Sequence, residues 1–337
     1  MSVPFNEKRR QMFLSQSYYE NMEPYFSTSP THYKDEANLP MGDTPEQQRS
    51  LAASSIADDL YDLLSLHYTA GEPLDDLRKE LEDVVAAYEE YQKYLGAYED
   101  APQMAAFGFG MIDEYERCMQ LIGLCYLLHR LDLLPRIAKL QDPGYKGEDT
   151  LYEDLLAYDL EGRSDVDQWY HDKPYRDLIN SLYRDTPEES LADIKAYCDT
   201  WYPAMKSCPW HDGHTRMTDT DGDYFGYWAF EAGAVAFLLD IDDSTIEHMV
   251  YPKDLVAYAR KLRDEGVASP RPDHGRLRAE RNEIVPKTGW WHSIARPNGQ
   301  TLHYFEAGQH FPDWQYTKTG EVIWDFDPNQ QKAPPKK

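Results

Sequence analysis

The sequence predicts an all-α protein, a multi-helix antiparallel bundle, with a small β-hairpin or meander module near its C-terminal end. Apolar residues recur at helical spacing over most of the chain, and helix-capping signals separate these stretches. No alternating strand pattern occurs before about residue 285. The 337 residues are 41% apolar and 13% aromatic, which is enough to bury a large core.

The first long helix is delimited by capping signals at both ends. Thr44 is a candidate N-cap, Pro45 occupies the first helical position, and Gly71 follows the last turn. The preceding residues, 1–45, mix proline, serine, tyrosine and charged residues. They predict an irregular arm with one short helix at most.

Two further stretches complete a helical half over residues 46–185. From Leu77 to Leu95 apolar side chains fall at helical spacing, with acidic residues on the other faces. Residues 104–140 form the most apolar stretch and predict a central core helix that Pro135 interrupts.

Residues 186–262 predict a second helical half. Thr186 and Pro187 give a capped start. The segment GYWAFEAGAVAFLLDI predicts a buried helix with one carboxylate, Glu231, inside its apolar run. YPKDLVAYARKLRDEG predicts a last amphipathic helix. A carboxylate on an apolar helix face must be neutral, or paired and hydrogen-bonded, so Glu231 is interpreted mainly as a structural residue. Its candidate partners are Lys253, Arg260 and the polar loop before the helix.

The end of the chain differs in composition from the helical part. Residues 263–285 are rich in arginine, proline and glycine and predict a linker. In residues 286–330, WWHSIA and TLHYFEA flank the turn signal RPNGQ, which predicts a hairpin, and EVIWDF is a candidate third strand. The aromatic side chains expected to form the core of this module are Trp290, Trp291, Tyr304, Phe305, Phe311, Trp314 and Trp324.

The chain is strongly acidic, and the charge is unevenly distributed. Its 34 basic and 60 acidic residues give a net charge of -26. Residues 263–337 hold 11 basic and 10 acidic residues, so residues 1–262 carry 23 and 50, a net of -27. Such a field repels nucleic acid and anionic membranes and attracts basic proteins. An acidic surface that only confers solubility remains the alternative.

Compartment signals favour the cytoplasm. No apolar run approaches the roughly 20 residues that span a bilayer, and the first residues lack the apolar core of a secretory signal. The four cysteines form no CxxC pair, which favours reduced thiols over disulfides or a metal site.

Nine acidic residues cluster in one short segment, opposed only by Lys146 and Arg163. They are Asp142, Glu148, Asp149, Glu153, Asp154, Asp159, Glu161, Asp165 and Asp167. This segment is a candidate contact surface for a basic partner.

Catalytic motifs are weak. His211 and His214, followed by several aspartates up to Asp223, could ligate a divalent cation. Their spacing matches neither an EF-hand nor a zinc pattern, and no nucleophile, phosphate-binding or kinase motif is present. The chain is therefore predicted to be a non-enzyme without a cofactor. The alternative is a metal-dependent hydrolase with its site in the His211–Asp223 loop.

One stretch resembles a known family. WYPAMKSCPWHDGH and the following DYFGYWAFEAGAVAFLLDIDDSTIEHMVYPKDLVAYAR resemble the C-terminal half of the PoNe-immunity (PoNi) proteins, over about 60 residues. The residues that carry the resemblance include Tyr227, Trp228, Glu231, Asp242 and Asp254, and they are interpreted as core and helix-start positions. Residues 46–185 fit the family's N-terminal half more loosely.

The resemblance implies an all-α immunity protein that binds and neutralises a nuclease toxin and has no catalytic residues. The C-terminal segment also resembles a module of type VI secretion immunity proteins and effectors, which suggests a relative of the TsiT kind. The sequence does not determine the oligomeric state, and a homodimer is compatible with it. Combined with the charge pattern, the expected toxin contacts are Glu148, Asp149, Glu153, Asp154, Asp159 and Glu161.

Overall fold

A computed structural model describes residues 3–267, 278–280, 282–293, 302–312 and 323–327. The chain forms two compact units, residues 1–270 and 271–337. The first unit is helical and the second contains a small β-sheet, so the predicted fold class is confirmed. None of the described helices combines the length and hydropathy needed to cross a membrane.

The described residues of the first unit form twelve α-helices. They are α1 (Phe5–Lys8), α2 (Gln16–His32), α3 (Pro45–Ala70), α4 (Leu74–Tyr98), α5 (Ile112–Leu127), α6 (Leu134–Tyr145), α7 (Thr150–Ala157), α8 (Tyr175–Ser181), α9 (Pro187–Ala204), α10 (Gly213–Arg216), α11 (Phe230–Leu238) and α12 (Lys253–Asp264).

The N-terminal arm is more ordered than predicted. It contains α2, a helix of 17 residues that packs on α3, so the prediction of an irregular arm is wrong. The Ser15 side chain caps the helix by accepting from the Tyr18 amide. Tyr18, Met22 and Phe26 recur every four residues and are buried. That spacing was a readable helix signal, obscured in the sequence by the two prolines that lie inside the helix.

Helix α3 begins and ends where the sequence predicts. The Thr44 hydroxyl accepts from the Gln47 amide, and Pro45 occupies the first turn. Gly71 ends the helix with a φ of 81°, in the left-handed region that favours glycine. A Cβ on Gly71 would lie 2.1 Å from the Lys8 carbonyl oxygen, so the chain also needs glycine there for close packing.

Helices α5 and α11 cross at the centre of the first unit, and both are almost wholly buried. Gly123 allows the close approach, since a Cβ there would lie 3.0 Å from the Glu231 Cα. Pro135 does not interrupt a longer helix. Helix α5 ends at Leu127, His129 adopts a left-handed φ of 50°, and Pro135 lies in the first turn of α6. The predicted position of the break is therefore corrected to His129.

The second unit contains a four-stranded sheet. Its strands are β1 (Arg278–Glu280), β2 (Gly289–His292), β3 (Leu302–Phe305) and β4 (Ile323–Asp327), in the spatial order β1-β4-β2-β3, and every pairing is antiparallel. The pairing of β2 with β3, in which Trp290 lies opposite Tyr304, and the third strand β4 are confirmed. Strand β1 lies within the segment predicted as a linker, so that prediction is wrong for residues 278–280.

Three of the six described aromatic residues that were predicted for the core of this unit are buried. They are Trp291, Phe311 and Trp324, with the Phe311 and Trp324 rings stacked 5.4 Å apart. The other three, Trp290, Tyr304 and Phe305, are partly exposed. The predicted core residue Trp314 and the RPNGQ turn lie outside the described residues.

Candidate functional site

The acidic segment around α7 is partly a structural element and partly a surface. Asp149 is fully buried and caps α7 by accepting from the Tyr152 amide at 2.9 Å. Its carboxylate also accepts from the Tyr115 hydroxyl at 3.0 Å and the Tyr170 amide at 3.1 Å. Asp149 thus joins the start of α7 to α5 and to the loop before α8.

Arg163 binds two carboxylates of the segment in a buried clamp. Its Nε and Nη2 donate to the two carboxylate oxygens of Glu153 at 2.9 and 2.8 Å, and its Nη1 donates to Asp142 at 2.8 Å. The Arg163 side chain is 4% exposed and that of Glu153 is 1% exposed. The Gly147 and Ser164 amides also donate to Glu153, so this carboxylate holds the loop on both sides of α7.

These contacts correct the predicted contact surface. Asp149 and Glu153 are buried and cannot meet a partner. Asp154 is partly buried and accepts from the Tyr183 hydroxyl, and burial raises the pKa of its carboxyl to about 6. Glu148 and Glu161 are exposed. The remaining residue of the predicted set, Asp159, is partly exposed. Two further acids of the segment, Asp165 and Asp167, are also exposed.

Some of the predicted core residues are buried and others are exposed. Tyr227, Trp228 and Glu231 are buried. Asp242 is exposed, with its carboxylate accepting from the Ser244 amide, and the neighbouring Asp243 is the buried residue.

Asp254 is also exposed at the start of α12, although its carboxylate binds Arg10 and the Tyr68 hydroxyl. Asp242 and Asp254 are therefore not core residues. Local sequence pattern does not distinguish adjacent acids that point in opposite directions.

Among the described residues, no lysine or arginine forms an ion pair with the Glu231 carboxylate. Its Oε1 accepts from the Tyr197 hydroxyl, and its Oε2 has no hydrogen-bond partner among the described residues. Burial raises the pKa of Glu231 to about 7, and the Tyr197 hydrogen bond acts in the opposite direction. The predicted partner Arg260 instead binds Asp243, and Lys253 donates to the Ser244 carbonyl. Glu231 thus belongs to the packed interface between α9 and α11.

The two histidines of the HDGH sequence lie in an aromatic cluster. The His211 ring stacks on Tyr202 with centroids 4.3 Å apart, and His214 packs on Phe13 at 4.2 Å. His214 Nδ1 lies 2.8 Å from the Tyr227 hydroxyl. In the part of the chain that the structure describes, no three His, Cys, Asp or Glu side chains converge as a metal site requires. The alternative of a metal site at His211 and His214 therefore has no supporting geometry.

A second acidic region, which the sequence analysis missed, surrounds a cleft in the first unit. The cleft has a volume of about 330 Å³ and lies between α3, α4, the start of α5 and the segment 209–225. We call it the acidic cleft. Its charged lining residues are Asp58, Asp62, Asp113, Glu114, Asp223 and Arg117. Its aromatic lining residues are Tyr88, Tyr91, Phe107, Trp210 and Phe225.

Arg117 lies at the centre of the charged residues. It forms an ion pair with Asp58, and its Nη2 lies 3.6 Å from Asp62 Oδ1. The guanidinium also lies 4.9 Å from the centre of the Tyr61 ring, while the Tyr88 hydroxyl donates to Asp58 at 3.0 Å. The side chains of Arg117 and Asp62 are 17% and 16% exposed.

One cation does not neutralise this region. Asp62 Oδ1 is buried and accepts no hydrogen bond from the described residues. Burial raises the pKa of Asp62 to about 8, against the effect of Arg117, and nearby Asp58 adds to the rise. Burial also raises the pKa of Glu114. The cleft therefore carries acidic groups whose ionisation is suppressed by their surroundings.

A weak sequence signal for the cleft was present. Asp58 and Asp62 are four residues apart in an apolar part of α3, so they share one helix face. Arg117 occurs in the apolar helix α5, where a charge needs a partner. The sequences of α3 and α5 do not show that Arg117 pairs with these two aspartates.

Residues 147–255 match the sequence model of PoNe immunity proteins (PoNi), C-terminal. The matched segment runs from the loop before α7 to the start of α12, and it contains Arg163, Glu231 and the HDGH sequence. Residues 147–255 are thus similar in sequence to the C-terminal part of PoNi proteins. The expected resemblance is therefore confirmed, and the PoNi segment begins earlier than the motifs had indicated, at the acidic residues of α7.

One solved structure supports the fold outside the PoNi segment as well. The crystal structure of protein PA2201 from Pseudomonas aeruginosa is similar with a TM-score of 0.59, over 76% of this chain and 92% of that chain. The sequence identity is 18%, so this similarity concerns the fold alone. No curated protein matches the chain.

Proposed function

We propose that this chain is an immunity protein that binds a nuclease toxin in the cytoplasm of the producing cell and neutralises it, acting by binding and not by catalysis. The observation that carries the proposal is the match of residues 147–255 to PoNe immunity proteins. The toxin is expected to be a basic effector of a type VI secretion system.

The charge of the chain supports a basic partner. A net charge of -26 attracts a protein whose lysines and arginines bind nucleic acid phosphates. Carboxylates of the immunity protein would form ion pairs with those lysines and arginines in place of phosphate. Their charge would also raise the association rate at low ionic strength. We propose that exposed acids next to α7, such as Glu148 and Glu161, make such contacts.

The small sheet of the second unit is a further candidate for docking on the toxin. Deletion of residues 286–337 tests this role, because the first unit forms its own core. Loss of protection by a variant that retains the helical fold would support docking. Full protection would restrict the toxin-binding function to the first unit.

Protection of growth tests the function directly. The candidate toxin is the product of the gene adjacent to this one, since an immunity gene is expected to lie beside its toxin gene. Co-expression with this chain should restore the growth of cells that produce the toxin. Growth arrest despite abundant, folded chain would contradict the proposal, and rescue by an unrelated acidic protein would show that charge alone suffices.

Charge reversal next to α7 should slow association with the toxin. The variant carries lysine at the four exposed positions Glu148, Glu161, Asp165 and Asp167. Its association rate at low salt should fall by about tenfold or more, because long-range attraction is weakened, and the difference should shrink as salt is added.

A matched control has the same net charge but different positions. It carries lysine at four exposed acids of other segments, Glu20, Glu36, Asp43 and Glu90. Rates measured by surface plasmon resonance should be reduced less in this control. Equal rates for the two variants would mean that the segment next to α7 acts only through net charge.

A further inference from the structure

The acidic cleft has an excess of carboxyl groups that the described residues do not offset. Five acidic side chains and one arginine line it, and two of the acids, Asp58 and Asp62, share that arginine. The Asp223 carboxylate binds a second arginine, Arg216, at 2.6 Å on the rim. Glu114 is held by the Gly108 amide. An additional cation entering the cleft would meet carboxylates on several sides.

Asp62, which lines the cleft, is only weakly paired within the chain. Its Oδ1 is buried and accepts no hydrogen bond from the described residues, and its distance of 3.6 Å from Arg117 Nη2 exceeds a hydrogen bond. A buried carboxyl oxygen without a donor is unfavourable, so a donor that enters the cleft beside it would be stabilised.

The walls of the cleft select the form of that donor. Aromatic side chains from three segments, including Tyr91, Phe107 and Trp210, line the cleft beside the carboxylates. Aromatic faces attract organic cations and cover their methylene groups, whereas a hydrated metal ion would gain little from them. The combination fits an alkylammonium or guanidinium group on an aliphatic stem. A lysine or arginine side chain has this structure.

We propose that the acidic cleft receives a lysine or arginine side chain of the toxin, with Asp62 as a carboxylate that binds its charged group. This proposal rests on the toxin-binding function. It places a contact between helices of the N-terminal half and the segment 209–225, in addition to the proposed contacts next to α7. Asp58 keeps its ion pair with Arg117 and helps to position the entering group.

The test compares three single variants of the full chain. Asp62→Asn removes the unsatisfied carboxylate, and Asp113→Asn removes another acid lining the cleft. Asp83→Asn, at an exposed acid of α4 outside the cleft, makes the same acid-to-amide change as a control. Each variant is measured for its affinity for the product of the adjacent toxin gene and for its urea unfolding midpoint.

The expected pattern combines weaker binding with undiminished stability. Asp62→Asn should bind the toxin at least about tenfold more weakly than the original chain. Asp113→Asn should have a lower affinity for the toxin than Asp83→Asn. The unfolding midpoint of Asp62→Asn should equal or exceed that of the original chain, because a largely buried and only weakly paired carboxyl is removed. A purely structural role for Asp62 would instead lower both quantities.

Three results would overturn the proposal. Unchanged toxin binding by both cleft variants would exclude the cleft while leaving the immunity function intact. Absence of toxin binding by the original chain would remove the function and the cleft contact together. Micromolar binding of spermidine that Asp62→Asn abolishes, with toxin binding unchanged, would assign the cleft to a free polyamine.

Discussion

Replacement of Arg163 by methionine is expected to destabilise the protein by about 3–5 kcal/mol. Glu153, which is 1% exposed, would lose both of its hydrogen bonds to the guanidinium and remain as a buried charge without a cation. Asp142 would lose the same partner. The guanidinium also lies 5.0 Å from the centre of the Tyr152 ring, so packing against α7 is lost as well.

Urea unfolding measures this effect, and an exposed ion pair provides the control. Arg176 pairs with Asp172, four residues earlier in the chain, and its side chain is 54% exposed, so Arg176→Met should cost less than about 1 kcal/mol. Adding Glu153→Gln to Arg163→Met should restore part of the stability, because the amide is neutral. Its single oxygen can still accept from one of the Gly147 and Ser164 amides, which donate to different oxygens of Glu153. Equal losses for the two arginine variants would refute the buried clamp.

Replacement of Glu231 by glutamine is expected to stabilise the protein at alkaline pH by up to about 3 kcal/mol. The pKa of Glu231 is raised from 4.5 to about 7 by burial, so the folded state holds this proton more tightly than the unfolded state. Its contribution to stability is therefore undiminished below the unfolded pKa. It decreases as the pH rises from 4.5 to about 7, and it is constant above that. Glutamine carries no ionisation and can still accept from the Tyr197 hydroxyl.

The diagnostic quantity is the difference between the two proteins at two pH values. Free energies of unfolding compared at about pH 5.5 and about pH 8.5 should show the advantage of Glu231→Gln growing by about 2 kcal/mol. Glu247→Gln, an exposed carboxyl, should show no such growth. A pH-independent difference would mean that Glu231 has an ordinary pKa or no role in the pH response.

The helices were most predictable where capping residues mark them. Thr44, Pro45 and Gly71 delimit α3 as predicted, because capping depends on residues a few positions apart. The arm containing α2 was not recognised, although Tyr18 and Met22 show its buried face. The break before α6 was predicted at Pro135 and not at His129, because no glycine in the sequence marks the residue that adopts the left-handed φ.

The candidate surfaces were less predictable than the fold. A run of acids indicates charge, but local sequence does not reveal that Arg163 would bury Glu153 or that Asp149 would cap α7. These pairings depend on how a loop returns over a helix. The acidic cleft depends on contacts over longer distances, since Asp58 and Arg117 are 59 residues apart. Charge composition thus indicates a class of partner, whereas the acids that are exposed to a partner depend on the fold.

Titration of the toxin's nucleic acid degradation with purified chain tests the central claim most directly. The product of the adjacent toxin gene is held at fixed concentration, and the rate of nucleic acid degradation is recorded as this chain is added. The account predicts that degradation falls in proportion to added chain and stops at a fixed stoichiometry. Degradation that continues unchanged in the presence of excess folded chain would contradict it.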